Sequence, residues 1–190
     1  MDIEEAIYNR RTIRRFKQDP VPIEILKKLV DFGRVAPMGS NIQSIEYIIV
    51  SDSAMREKLF PLVQWAGFLP EKDRHPELGR RPMAYIIVLG NTEIKENPRL
   101  DAGAAIENIL LGAVKFGLSS CWMGSVDRKE AAALFKLPKN YELISVISLG
   151  YPDEKSFIEP FDGSFKYWKD EEGNMHVPKK LLNDIIFKMY

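Results

Sequence analysis

The sequence predicts one domain of mixed helices and strands assembled around a single buried helix. Three observations lead there. From Asp101 to Gly117 only Asp101, Glu107 and Lys115 carry charge, while Ala102, Ala105, Ile106, Ile109, Leu110, Ala113 and Phe116 recur at helical spacing. The opposite side (Ala104, Leu111, Gly112, Val114) is nearly as apolar, which suits a deep core or a subunit interface. Short apolar runs such as Ile48–Val50, Ala84–Leu89 and Ser119–Met123 read as strands. Finally, 190 residues at 45% hydrophobic suit one sizeable core.

In chain order, Asp2 and Glu5 have capping-box spacing, so a helix is expected from Ile3 to about Asn9. Pro22 suits the first residue of a helix running to about Arg34, with Leu26, Leu29, Val30 and Gly33 inward. Turn residues in Ala36-Pro-Met-Gly-Ser-Asn41 end it. Glu46–Val50 is a strand whose continuous apolar run implies cover on both faces. Ser53 to about Trp65 reads as a helix with Leu59, Leu62 and Val63 inward. Between Ala66 and Met83, Pro70, Pro76, Gly79 and Pro82 break any period, and Phe68 and Leu69 suggest a loop laid over a cleft. After the Ala84–Leu89 strand and the Asn97-Pro98 break comes the central helix, which Gly117 ends. Gly103, Ala104, Ala105 and Gly112 leave room there for a close neighbour. Ser119–Met123 is a short buried strand closed by Gly124. Asp127 and Glu130 repeat the capping spacing ahead of a helix to about Leu134. Glu142–Leu149 is a further strand or strand pair, ended by Gly150-Tyr-Pro152. Residues 153–177 show no clear element, although Phe157, Phe161, Phe165, Tyr167 and Trp168 suggest a segment pinned to a surface. Lys180–Met189 reads as an amphipathic helix.

The densest charge lies at Asn9-Arg-Arg-Thr-Ile-Arg-Arg-Phe-Lys17, where Arg10, Arg11, Arg14, Arg15 and Lys17 gather. A run of this kind is usually a solvated, salt-bridged turn. The functional reading is a phosphate or carboxylate site, because the guanidinium fork donates paired hydrogen bonds to such anions, with Thr12 adding a hydroxyl. Asn41 and Gln43, in a loop ahead of a strand, are either plain connector residues or binding groups. His75 reads as a surface histidine. Cys121, inside an apolar strand, reads as a buried structural thiol rather than a nucleophile.

Formal net charge is zero, with 27 basic and 27 acidic side chains, so nothing favours nucleic acid or an anionic membrane. The chain opens on a polar helix start and has no run near the roughly 20 apolar residues that span a bilayer. One cysteine fits a reducing compartment, so a cytoplasmic protein is expected. No glycine-rich phosphate fingerprint, metal-ligand cluster or nucleophile elbow occurs, so no metal is expected. With so few acid, base or nucleophile candidates, chemistry would belong to a bound cofactor.

Four segments together resemble one family. Arg10-Arg-Thr-Ile-Arg-Arg-Phe16, Ala36-Pro-Met-Gly-Ser-Asn-Ile-Gln43, Asp101-Ala-Gly-Ala-Ala-Ile-Glu-Asn108 with Gly117-Leu-Ser-Ser-Cys-Trp-Met-Gly124, and Leu149-Gly-Tyr-Pro152 are similar to the FMN-dependent nitroreductases, in that family's order. The resemblance runs from residue 3 to about 152. It implies an α+β fold, a central mostly antiparallel sheet flanked by helices, in an intertwined homodimer with FMN at the interface. Residues 1–152 would form the flavin-binding core. Residues 153–190 would be a C-terminal extension and helix of the same domain, packing on the partner subunit.

By the same resemblance Arg10, Arg11 and Thr12 would hold the FMN phosphate and ribityl chain, and Arg14 would face the N1 and C2-carbonyl edge. Pro37, Met38, Gly39 and Asn41 would come from the partner and cover the ring. Trp122, Met123 and Gly124 would line the other side, with a backbone N–H near Gly124 donating to flavin N5. Arg14 and Gly124 would therefore be the catalytic positions. The implied activity is an FMN-dependent NAD(P)H oxidoreductase. NADH or NADPH would reduce FMN, which would then reduce a nitroaromatic, quinone or similar small-molecule acceptor by a ping-pong mechanism. The alternatives are a flavin-binding storage or sensing protein of the same fold, and a relative that fragments or dehalogenates its substrate. Two departures stand out. Many relatives carry an arginine or lysine after the Gly-Tyr-Pro turn that adds a phosphate contact, where Asp153-Glu-Lys-Ser-Phe-Ile-Glu-Pro160 of this chain offers no arginine and assigns no such role to Lys155. Gln43-Ser-Ile45 also stands where Gln-Pro-Trp is frequent.

Overall fold

The computed structural model describes residues 2–190, so Met1 lies outside it. Helix α1 (Ile3–Asn9) opens on the expected capping box between Asp2 and Glu5. Helix α2 (Ile23–Arg34) follows Pro22, which caps the helix rather than beginning it. The chain then runs through β1 (Ile45–Val50), α3 (Ser53–Leu59), α4 (Glu71–Arg74), β2 (Ala84–Asn91), α5 (Arg99–Lys115), β3 (Ser119–Met123), α6 (Arg128–Leu134) and β4 (Tyr141–Gly150). The four strands form an antiparallel sheet in the order β1-β2-β4-β3.

Alternation along the central strand β2 explains why its run from Ala84 to Leu89 is apolar. Ala84, Ile86 and Val88 of β2 face α2 and α5, with Leu26, Leu29, Ile106, Ile109 and Ala113. Tyr85, Ile87 and Leu89 face the other way, toward Leu59, Phe60, Val63 and Ala131. Both faces are covered, which favours apolar side chains on each, and the buried hydroxyls of Ser145 and Ser148 on neighbouring β4 are the exceptions. The α2–α5 contact is close enough that a Cβ on Gly112 would lie 2.4 Å from Phe32 Cδ2. Gly117 ends the central helix at φ +70, a left-handed conformation that glycine adopts without a Cβ penalty. Along α5, residues 102, 105, 106, 109, 110 and 113 are buried, while Gly103, Ala104, Asn108, Leu111 and Val114 remain half-buried.

Three expectations are corrected. The expected helix from Ser53 to Trp65 stops at Leu59 and continues only as a tight turn over Phe60–Leu62. Pro61 has no N–H to donate, and Val63 pairs instead with Val126, with the Gln64 amide donating to Ser125 O. Residues 153–177 are not structureless. They contain β5 (Ser156–Pro160), β6 (Trp168–Lys169) and the start of β7 (Met175–Lys179), a small sheet in the order β5-β7-β6 with β5 and β7 parallel. The final helix is a single turn, α7 (Leu182–Ile185), whose apolar side chains face solvent. Among the described residues nothing covers that face, and so short a helix is not stable by propensity alone.

Candidate functional site

The arginine segment acquires its shape from the free edge of β3. After α1 the chain extends, Thr12 forms a parallel bridge with Ser120, and the Ile13 amide donates to Ser120 O at 3.0 Å. Phe16 then bridges Pro152, and the Lys17 amide donates to Tyr151 O. An extended segment sends successive side chains to opposite sides, and the four arginines are consequently put to different uses.

Arg15 is 5% exposed. Its Nε donates to Glu77 Oε2 at 2.9 Å and its Nη2 to the carbonyls of Asp73 and His75. It therefore belongs to the architecture rather than to an open anion site. His75 itself is exposed, as the sequence suggested. Arg10 pairs with Glu107 of α5 at 3.4 Å. Arg11 donates to Tyr8 O, and its Nε is buried without a partner. Burial and then the adjacent Arg10 charge push the Arg11 pKa down. The Arg14 amide donates to Glu154 Oε1 at 2.6 Å, and the guanidinium stands over the Tyr167 ring, 5.0 Å from its centroid, beside Cys121.

The second predicted group lies at the end of β3. Trp122 is 45% exposed, its Nε1 donates to Ser145 Oγ at 2.9 Å, and its ring edge covers Gly103 of α5. Glu107, which holds Arg10, is one helical turn further along. Gly124 is open: a Cβ there would meet nothing within 4 Å, and its carbonyl accepts from Arg128 Nη2. Trp122, Gly124, Arg128 and Ser145 line a depression of about 450 Å³. The Met123 side chain is buried in the core, so only its backbone can face this depression. Cys121 is buried, and burial pushes its thiol pKa up, as befits an inert structural cysteine.

The third group, Pro37 to Asn41, is tied to the first turn of α5. The Gly39 amide donates to Asp101 Oδ1 at 3.1 Å, and Asp101 in turn pairs with Lys95. The Lys95 hydrogen bond, with help from the Gly39 amide, holds the Asp101 carboxyl below its usual range. Ser40 and Asn41 sit at φ 54 and 56, a left-handed pair that turns the loop outward. Pro37 and residues 39–43 are exposed. Apart from the turns Asn41 N–H to Met38 O and Ile42 N–H to Gly39 O, the loop is anchored by its bond to Asp101 of α5.

Sequence reasoning missed the part played by the chain beyond Pro152. The Asp153 amide donates to Arg15 O, and the next residues run back along the arginine segment. Glu154, whose side chain is 2% exposed, faces Lys169 at 3.4 Å and Arg15 at 3.7 Å. Lys155 and Ser156 then border a groove of about 450 Å³ with Arg11, Ser119 and Phe157. Ser156 Oγ is buried without a partner, as is Arg11 Nε. Arg11, Lys155 and the Ser156 hydroxyl give this groove the donors a phosphate monoester needs, and the Glu154 carboxylate that also lines it is offset by Lys169 and Arg15. The open backbone at Gly124 and the flat exposed ring of Trp122 fit a planar ring system. The residues present therefore suit a phosphorylated flavin. The signal available in sequence was the Gly-Tyr-Pro turn itself, which reverses the chain.

Comparison with known proteins bears on this geometry. A model of the family described as "Nitroreductase family" matches residues 7–151. A protein of Archaeoglobus fulgidus, named provisionally as an NADH dehydrogenase/NAD(P)H nitroreductase, is 33% identical over 83% of this chain and 90% of its own length. The crystal structure of an FMN-dependent nitroreductase from Clostridium difficile R20291 superposes with a TM-score of 0.66 at 25% identity, covering 80% of this chain and 88% of that one. A Desulfovibrio desulfuricans structure in complex with FMN, provisionally a nitroreductase, has the same fold over 100% of this chain and 98% of its own, with a TM-score of 0.71 at 22% identity.

Proposed function

From membership of the nitroreductase family, to which the chain belongs, we propose an FMN-dependent oxidoreductase that takes electrons from NADH or NADPH. The acceptor is a nitroaromatic, a quinone or a similar small planar molecule, alternating with the nicotinamide at one site. The observation that carries this reading is the arginine segment laid along β3, with Thr12 and Ile13 against Ser120 on the edge that ends at Gly124 and Arg14 following next along the chain.

FMN, when bound, supplies the redox chemistry that no side chain here offers. Arg10, Arg11 and Thr12 would hold the phosphate and ribityl chain, and Lys155 with Ser156, which border one groove with Arg11, would supply the contact for which the sequence offered no arginine. Arg14 stabilises negative charge at the N1 and C2-carbonyl edge, because a fixed guanidinium in a partly dry site acts without reorganising. The backbone at Gly124, with open space before it, would donate toward N5, and the half-exposed Trp122 would wall the ring.

Two copies complete the site. The half-buried stripe Gly103, Ala104 and Leu111 of α5, with Leu100 at 86% exposed, is an apolar surface of a kind that dimers bury, and Asn108 beside it is satisfied by the Phe32 carbonyl. The exposed Pro37–Asn41 loop of one protomer then covers the flavin of the other. Among the described residues, no helix is long and apolar enough to cross a membrane. Absorption spectra of the purified protein, taken anaerobically before and after each nicotinamide, test the reading. Bound flavin that bleaches with NADH or NADPH is expected. Protein that takes up no FMN sinks the proposal, and flavin that neither nicotinamide reduces favours a storage or sensing role.

A further inference from the structure

The geometry points to Tyr167 as a positioning residue for Arg14, holding the guanidinium in place without neutralising it. The inference rests on the proposed function, in which Arg14 faces the cofactor.

Each of the other arginines in the segment has a polar partner for its side chain: Glu107 for Arg10, the Tyr8 carbonyl for Arg11, Glu77 and Glu154 for Arg15. The Arg14 guanidinium enters no ion pair among the described residues. It is bracketed instead by the Tyr167 ring and the Cys121 thiol. A free arginine side chain has many rotamers open to it, so a cation meant to act at a fixed point needs a restraint. A carboxylate would restrain it and cancel its field. An aromatic face restrains it while leaving the charge available, and a buried neutral thiol does the same.

Tyr167 is itself held from several sides. It packs on Ala66, Leu69 and Met175, its ring meets Phe68 at 5.2 Å, and its hydroxyl accepts the Phe68 amide at 3.4 Å. It stands one residue before β6, so the C-terminal sheet supports it. The loop at residues 66–69, with Ala66 at φ 37, is thereby tied to the residue that aims Arg14. The C-terminal segment, outside the family match at residues 7–151, thus reaches into the cofactor site.

The test uses full-length protein loaded with FMN and reads the ratio of affinities for reduced and oxidised flavin, through the midpoint potential. Arg14→Ala, Tyr167→Leu, Tyr167→Phe and the double variant Arg14→Ala/Tyr167→Leu are compared. Tyr167→Leu is expected to lower the preference for reduced flavin about three- to tenfold, as loss of a partly buried cation–π contact would. Tyr167→Phe keeps the ring and should keep the potential. The double variant should match Arg14→Ala alone. If Arg14→Ala shifts the potential and Tyr167→Leu does not, or if the two effects add, the inference is overturned while the role of Arg14 stands. If Arg14→Ala shifts nothing in flavin-loaded protein, the role of Arg14 fails and the inference fails with it. Should Tyr167→Leu not fold, Tyr167→Met removes the π face at similar volume and is read in the same way.

Discussion

Glu154→Gln probes the joint between the arginine segment and the C-terminal sheet. The carboxylate accepts the Arg14 amide on one oxygen and faces Lys169 and Arg15 with the other, at 3.4 and 3.7 Å. Glutamine keeps the shape and an oxygen for the Arg14 amide, but leaves two cations without their buried counter-charge. Removing one partner of a buried pair costs about 3–5 kcal/mol. Lys169 is partly exposed and Arg15 keeps Glu77, so about 2–4 kcal/mol is expected here. At about 2–4 °C per kcal/mol for a chain of this size, the melting temperature should fall by about 10 °C. Burial already pushes the Lys169 pKa down, and Glu154 opposes that. Without the carboxylate the folded-state value falls further, so the unfolded chain binds more protons than the folded one in the window below the ordinary lysine range. Stability there rises with pH, and the deficit of the variant should shrink from pH 7 toward pH 10. Thermal unfolding across that range measures both effects. A shift of less than about 2 °C, or a deficit that grows with pH, would refute the reasoning.

Other perturbations reach the cofactor site, the C-terminal sheet and the helix packing in turn. Arg14→Ala should lower the flavin midpoint potential while leaving FMN partly bound, read by anaerobic redox titration. Lys155→Met with Ser156→Ala should weaken FMN binding about tenfold, as loss of a charge-assisted contact would, measured by flavin fluorescence quenching. His176 lies between Glu159 at 2.7 Å and Asp170 at 3.1 Å and stacks on Trp168. The Glu159 and Asp170 hydrogen bonds raise its pKa, and Asp170, bonded to Asn174 and His176, is held down to about 2. The histidine contribution is thus complete below its unfolded pKa of about 6.5 and lost as pH rises through the raised value. The Asp170 contribution is present above about 3.9 and lost as pH falls toward 2. Melting temperature against pH for His176→Gln should lack the alkaline loss. Gly112→Ala gains about 1 kcal/mol of helix propensity, but its methyl would overlap Phe32. Overpacking costs about 1–3 kcal/mol, so a net loss of stability is expected on denaturant unfolding.

Much of the fold was legible because local chemistry and tertiary packing agree. Asp2 with Glu5, Gly117 and the unbroken apolar run of β2 each state their structure in a few residues. The helix expected through Trp65 failed at Pro61, where the pairing of Val63 with Val126 overrides helical spacing. The C-terminal sheet was illegible because its strands are short and mostly half-buried or exposed, and its β5–β7 pairing is parallel across the segment that holds β6. At the site, the residue types of the arginine segment were readable, but the division of labour among them was not. It depends on the Thr12–Ser120 bridge, which sets where each side chain points. Tyr167 and Glu154 could not be found by motif, since each matters through tertiary contacts, with Arg14 among them, that no local pattern announces.

A crystal structure of the FMN-loaded protein is the most direct test. The account predicts the phosphate within hydrogen-bond reach of Arg10, Arg11 or Lys155. It also predicts the ring between Trp122 and a partner's Pro37–Asn41 loop, with Arg14 at its carbonyl edge. Flavin found elsewhere, for example in the charged cleft bordered by Arg80 and Lys169, or bound to a lone protomer with Arg14 turned away, would contradict it.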